Sequence, residues 1–335
     1  MKTVLLSGGA GFIGHHTVEH ILKNTDWNIV VLDRLSYAGN LNRFTDIEVW
    51  PKEGKRVNFV YHDFRSPIND GVISLFGKKV DYIIHMGAET HVARSLSDPI
   101  PFAESNVIGT VNMLELAKKL NAQKFIYVST DEVFGATDGI NLHKEGEPHL
   151  PSNPYAAGKA GGEDFAYSYY KSFEMPVIIT NTMNNLGERQ DPEKFMPMAI
   201  KKILAGQKVP IHVRKNKKDI EEISSRCWLH PRNHADALLF LLKKGKAGER
   251  YNIAGQKLNV LELARFFAKT LKRPLKVEYV DFHKYTPGHD LHYGLDDTKI
   301  KNLGWNPPLN FSESMEKATN WIAKRREWLQ PSAFV

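Results

Sequence analysis

The chain has 335 residues, 42% of them hydrophobic and 25% charged, with a formal net charge of +7, enough for about two domains or one large core with an attached lobe. A single cysteine, Cys227, excludes an intrachain disulfide framework, and no apolar run reaches the length of a membrane span. The basic clusters at 213–219 and 323–328 lack interleaved stacking aromatics, so nucleic acid is not an expected partner.

The N-terminal strand-like run "TVLLSG" leads into glycine-rich sequence instead of a signal-cleavage pattern, which with the lone thiol predicts a cytoplasmic protein. Further β-branched runs follow at "NIVVLD", "VNFVYHD", "YIIHMGA", "KFIYVST" and "MPVIITNT". Several are apolar at successive positions, as in parallel strands buried on both faces. Helical patterns lie between them at 12–24, 67–77, 101–120 and 154–173. Such alternation implies right-handed crossovers and an α/β fold with a doubly wound parallel sheet.

The second half changes character. "DPEKFMPMAIKKILAGQKVPIHV" reads as a helix and a short strand, and "HADALLFLLKKG" as a helix. Short strands are predicted at 250–254 and 275–280, then a terminal helix at 311–328. The expected division is a nucleotide-binding domain over 1–182 with a return segment near 228–254. A smaller mixed α/β substrate lobe takes 183–227 and 255–335.

Three features carry chemistry. In "SGGAGFIG", Gly8, Gly11 and Gly14 stand between a strand and a helix, where glycine allows a tight turn and close backbone approach to a pyrophosphate. The helix start supplies N–H groups to the anion. Asp33 ends the next strand at about the 20-residue offset of an acid that binds ribose hydroxyls, and its charge favours NAD over NADP, although Arg34 follows it. In "NPYAAGKAGGED", Tyr155 and Lys159 are four apart and share a helix face. Phenol, with an ordinary pKa of ~10, needs such a cation to act as a base. The third feature is "YVSTDEVFG", where Asp131 and Glu132 adjoin after Ser129 and Thr130. A solvated turn is the plain reading of that pair, but two adjacent carboxylates repel unless one keeps its proton.

With "GGAGFIG", "LDRLSYAGN", "MGAETHVARS", "STDEVFG", "YAAGK", "TNTMNNLGERQDPEKFMP", "YNIAG" and "PGHD" in order, the chain resembles the extended short-chain dehydrogenase/reductases. Within that Rossmann group it is similar to the NDP-sugar 4,6-dehydratases along nearly its whole length. The resemblance implies an NAD-dependent lyase and a homodimer paired through the helices near 101–120 and 154–173. Tyr155 would take the C4 hydroxyl proton, with Lys159 supporting the phenolate and Thr130 polarising the C4 oxygen. Glu132 would remove the C5 proton, and a protonated Asp131 would assist loss of the C6 hydroxyl. NAD would lie along Gly8, Gly11, Phe12, Ile13, Gly14, Asp33, Arg34, Leu35, Ser36, Asp63, Phe64, Met86, Gly87, Ala88, Thr90, Ser105, Tyr155, Lys159 and Asn185. Thr90, Thr130 and Asn184 would meet the sugar. Lys194, Phe195, Pro210, Ile211, His212, Arg226, Asn252 and His289 would line the nucleotide-diphosphate path, with Arg226 as the pyrophosphate clamp. No metal site is expected.

The chain departs from that pattern on the nucleotide side. His212 replaces an aromatic of the base-binding strand, Thr286 replaces an arginine, and the loop before Arg226 is long. dTDP, UDP, CDP and GDP sugars therefore all stay open. A C4 epimerase or a UDP-glucuronate decarboxylase of the same fold is the neighbouring alternative, and a non-catalytic NAD-binding sensor the distant one. The acid pair argues against the first two, and the intact Thr130, Tyr155 and Lys159 against the third.

Overall fold

The six apolar runs of the first half become β1 (Thr3–Ser7), β2 (Asn28–Asp33), β3 (Val57–Tyr61), β4 (Tyr82–His85), β5 (Lys124–Thr130) and β6 (Val177–Thr182). They belong to a computed structural model that describes residues 1–215, 219–282 and 290–330. The later strands are β7 (Asn184–Asn185), β8 (Lys208–Lys215), β9 (Ile220–Ile223), β10 (Ser225–Leu229), β11 (Arg250–Ile253), β12 (Gln256–Asn259) and β13 (Lys276–Asp281). The main sheet has the order β11-β6-β5-β4-β1-β2-β3. All six of its pairings are parallel. The order reverses between β1 and β4, which in a doubly wound sheet opens a crevice at the strands' carboxyl ends.

Both faces of this sheet are covered, which is why its strands read as unbroken apolar runs. Val4, Leu6, Val31, Ile84 and Ile126 pack with Val18 and Ile21 of the helix Phe12–Asn24 and with Leu238 and Leu241 of the helix Pro231–Lys244. On the opposite face Leu5, Val30, Ile83, Phe125 and Ile179 meet Met113 and Leu114 of the helix Gly109–Lys119 and Ala166 of the helix Pro154–Phe173. Leu5 is fully buried, so truncating it to Ala costs about 2–5 kcal/mol. Ile300 and Trp305 also join the first of these clusters, although the sequence division assigns them to the lobe.

The pattern at 101–120 forms an interrupted helix. Ile100–Ala103 is α-helical, Glu104–Ile108 is a π-helical turn, and Gly109–Lys119 is α-helical again. The wide turn brings Asn106 to the loop after β4, where its amide accepts from Glu89 N at 2.9 Å and donates to Glu89 O at 3.0 Å. The pattern at 67–77 yields only a short helix, Asp70–Ser74.

In the lobe, β8 pairs with β13 in parallel and with β9 antiparallel. The helices Phe195–Leu204, Val260–Thr270 and Phe311–Lys324 bury Ile200, Leu263, Phe267 and Met315 against Val209, Ile211 and Val213 of β8. A third sheet, β12-β10-β7, lies between the two bodies. Among the described residues no helix is long and apolar enough to cross a membrane.

Candidate active site

A cleft of about 300 Å³ opens at the carboxyl ends of the main-sheet strands. Its first wall is the loop between β1 and the helix Phe12–Asn24. Gly8 has φ +71°, and a Cβ there would come within 2.7 Å of Gly87 Cα. A Cβ on Gly14 would approach Gly8 O to 2.2 Å, so loop and helix meet closely only because both residues are glycine. Gly11 is the N-cap, and no side chain caps this helix. The uncapped first turn fits a pyrophosphate, and a Cβ on Gly11 would lie only 3.1 Å from Gly8 O.

Asp33 is buried at the end of β2, and burial pushes its pKa up. Its carboxylate accepts from Ala10 N at 2.9 Å and from Leu35 N at 2.8 Å, with Leu35 at φ 52°. Arg34 is held between the Asp63 and Glu89 carboxylates. That pairing offsets the charge that would otherwise favour a 2′-phosphate. The donor set fits a dinucleotide with free ribose hydroxyls.

The reactive end of the cleft is built by β5 and the helix Pro154–Phe173. Thr130 closes the strand, and Asp131 and Glu132 begin a single 3₁₀ turn, Asp131–Phe134. Thr130 Oγ1 donates to Asp131 Oδ1 at 2.9 Å, while Asp131 Oδ2 is buried without a partner among the described residues. Asn153 caps the helix, its Oδ1 accepting from Ala156 N at 2.9 Å and its Nδ2 donating to Glu132 Oε2 at 3.2 Å. One side chain thus starts the helix that carries Tyr155 and Lys159 and orients the second carboxylate.

Burial pushes the Asp131 carboxyl up to about 6. It pushes Glu132 up to about 7, with the Asp131 charge adding to it. Values this close let the pair hold one proton near neutral pH and pass it from one to the other at little cost. The pair is therefore no solvated turn.

Burial also raises the Tyr155 phenol, the Glu132 charge adds, and a hydrogen bond with Thr130 opposes both. Lys159 Nζ donates to Val128 O at 2.7 Å and lies 4.2 Å from the centre of the Tyr127 ring. Burial lowers it to about 7, against the charge of Glu163.

The cleft brings together Gly8, Gly11, Phe12, Ile13, Gly14, Asp33, Arg34, Ser36, Phe64, Met86, Gly87, Ala88, Thr90, Ser105, Thr130, Asp131, Glu132, Tyr155, Lys159, Asn184, Asn185 and Lys194. Leu35 and Asp63 stand behind its wall. The nucleotide-side residues are more dispersed. Phe195 packs on Trp228, with ring centres 6.2 Å apart, and Ile211 is buried in the lobe core. Pro210 and His212 are half-buried on β8, His212 beside Phe282. Arg226 does not present a free fork: it donates to the carbonyls of Ser225, Leu291 and Asp290 at 2.6–2.8 Å. Its charge nonetheless lowers both acids of the pair. Asn252 is fully buried in β11, and its amide donates to His143 O and Asp296 O, away from the cleft. His289 and Thr286 lie outside the described residues.

The sequence reading passes over Arg43, Glu89, Gln190, Asp191 and Glu193, which also line the cleft. It passes over Asn153 too, where asparagine before a proline at a helix start was a visible capping signal. Arg43 carries no local signal. It is buried and ties Ala10 O at 2.9 Å to Arg189 O at 3.1 Å.

The family described as GDP-mannose 4,6 dehydratase matches residues 5–318. A dTDP-glucose 4,6-dehydratase of Salmonella typhimurium is 33% identical over 97% of this chain and 94% of its own length. A crystal structure of dTDP-glucose 4,6-dehydratase from Streptomyces venezuelae with NAD bound superposes with a TM-score of 0.86 at 34% identity, covering 98% of this chain and 99% of that one. A Thermus thermophilus UDP-glucose 4-epimerase in complex with NAD reaches a TM-score of 0.83 at 25% identity, over 95% and 98% of the two chains.

Proposed function

The chain belongs to the nucleotide-sugar 4,6-dehydratase family, and from that membership we propose how its own residues convert an NDP-hexose to an NDP-4-keto-6-deoxyhexose. The Gly8–Gly14 loop and Asp33 would hold NAD, which would supply the hydride acceptor for C4 and the hydride donor for C6. Tyr155 takes the C4 hydroxyl proton, and Thr130 donates to the C4 oxygen. Lys159, charged below a pKa of about 7, stabilises the phenolate form of Tyr155 that accepts this proton. The 4-ketone acidifies the C5 proton, which Glu132 removes. Asp131 gives its proton to the C6 hydroxyl, which departs as water. The resting proton lies first on Glu132, the weaker acid of the two. Its transfer to Asp131 readies the pair, because Asn153 N–H favours ionised Glu132 and the Oδ2 of Asp131, unpartnered among the described residues, suits a carboxylic acid. Thr90 and Asn184 face the sugar, Asn185 the cofactor, and Lys194 the diphosphate.

One observation carries this reading: two adjacent acids, Asp131 buried and Glu132 half-buried, that hold a proton near neutrality in the same cleft as Thr130, Tyr155 and Lys159. Water elimination needs an acid and a base together. A C4 epimerisation or a decarboxylation needs no such pair. The test is a panel of dTDP-, UDP-, CDP- and GDP-hexoses incubated with the purified protein and followed by mass. Loss of one water from one of them supports the reading, and dTDP-glucose is the first candidate because relatives at 33–34% identity are named for it. Epimerised product with no dehydration, or decarboxylation of UDP-glucuronate added to the panel, refutes it.

The protein acts as a cytoplasmic homodimer. Ile100 and Ile108 are exposed by 64% and 54% on one helix, and Phe165 and Phe173 by 43% and 53% on the helix beside it. A two-fold contact there would cover all four and stiffen the helix that carries Tyr155 and Lys159. Light scattering that gives the mass of one chain at micromolar concentration contradicts the dimer.

A further inference from the structure

Glu163 lies one turn beyond Lys159 on the helix Pro154–Phe173 and has no exposed surface. It does not line the cleft, yet its carboxylate is engaged on three sides. Oε1 forms an ion pair with Arg250 at 2.8 Å, an approach that is not an aligned hydrogen bond, and meets His149 Nε2 at 3.3 Å. Oε2 accepts from Asn181 Nδ2 at 3.0 Å. A buried ion pair is weak evidence for a stabilising role, so where each contact leads matters more than its strength.

Two of these contacts, and the charge itself, lead to the reacting groups. The Asn181 amide also donates to Thr130 O at 3.2 Å. Across the β5–β6 ladder it sits opposite Ser129, so it fixes the strand end from which Asp131 and Glu132 emerge. His149 begins the segment that reaches Asn153, and its neighbour Leu150 is tied to Val133 O at 2.9 Å. Asn153 in turn holds Glu132. The third route is through space, since the Glu163 charge opposes the loss of the Lys159 proton that burial favours.

We propose that Glu163 is a positioning residue of the reaction: its buried carboxylate, one helical turn from Lys159, holds Asn181 and His149 and so sets the strand end that bears Thr130, Asp131 and Glu132. The inference rests on the dehydration proposed above. The charged and titratable groups around Glu163 are Lys159 and Asp164 on its own helix, Tyr127 on β5, His149 on the preceding loop and Arg250 on β11. Of these, Arg250 and His149 favour the ionised form of Glu163, and Asp164 reaches Arg250 and His149 instead of the lysine.

The experiment measures kcat, KM and NAD content for the parent, Glu163→Gln, Glu163→Asp and Arg250→Gln between pH 6 and pH 9. With Glu163→Gln, Lys159 loses its proton at lower pH. The alkaline limb of kcat then moves to lower pH, kcat at pH 8 falls about 10-fold or more, and much of the loss returns at pH 6. KM and NAD content stay within about threefold of the parent, because binding is not what changes. Glu163→Asp keeps the charge and leaves the limb near its parental place. Arg250→Gln removes a cation that keeps Glu163 ionised, so its limb moves in the same direction as that of Glu163→Gln but less far, which gives a second reading where Glu163→Gln does not fold. Limbs that coincide in all four proteins, or a loss equal at every pH for Gln and Asp, overturn the proposal. A parent that eliminates water from no NDP-hexose overturns the reaction itself and takes this inference with it.

Discussion

Replacing Glu132 by Gln is expected to make the protein more stable and nearly inactive. In the folded chain the Glu132 carboxyl is raised from 4.5 to about 7, first by burial and then by the charge of Asp131. At roughly 1.4 kcal/mol per unit, ionising it costs the folded state about 3 kcal/mol. An acid whose folded pKa is raised contributes its full stabilisation below its unfolded value, and that contribution is lost as pH rises through about 7. Glutamine is neutral throughout and keeps the contribution. For a chain of 335 residues, unfolding entropy near 2.1 cal/mol/K per residue amounts to about 0.7 kcal/mol/K. Glu132→Gln should therefore raise Tm by about 4 °C at pH 8 and by less than about 1 °C near pH 4.5. The same change removes the base for C5, so kcat should fall about 100- to 10,000-fold with KM little changed. Thermal unfolding at the two pH values and steady-state turnover are the assays. A variant that unfolds earlier than the parent at pH 8, or that retains full activity, refutes this account of the pair.

Three further outcomes follow from the same geometry. Tyr155→Phe should show no enzyme-bound NADH absorbance after substrate is added, whereas Glu132→Gln should accumulate it, because only the latter completes C4 oxidation; identical spectra would remove the division of labour between them. Asp131→Asn should slow loss of the C6 hydroxyl while exchange of the C5 proton with solvent deuterium continues, and loss of that exchange would make Asp131 the base. Gly14→Ala forces a Cβ to within 2.2 Å of Gly8 O, so the purified variant should lose its bound NAD, and parental cofactor content would show that the loop yields.

Much of the fold was legible because strands buried on both faces must be apolar at successive positions. β1 and β6 are buried at every position and appear as plain runs in the sequence. The helices Phe12–Asn24 and Pro154–Phe173 span the residues the pattern predicts. What the pattern hides is set by contact across the fold. β7 is two residues long and exists through its pairing with Trp228 and Leu229. The π turn at Glu104–Ile108 leaves the apolar spacing around it nearly intact. The site divides the same way. Gly8, Asp33, Tyr155, Lys159 and the acid pair announce themselves by spacing, whereas Glu163, Asn181 and Arg43 are single polar residues whose partners lie far along the chain. Asn252 shows the converse, since its place in "YNIAG" points to the nucleotide while its side chain ties two loops together.

The path of the C4 hydrogen distinguishes internal redox cycling from every other fate of the substrate most directly. With an NDP-hexose carrying deuterium at C4, the cycle proposed here takes that deuteron from C4 and returns it to C6 of the same sugar. Mass and NMR analysis of the product should find one deuterium in the C6 methyl group and none at C4, with no net NADH released. Deuterium that remains at C4 or is lost to solvent, or NADH formed in proportion to product, would contradict it.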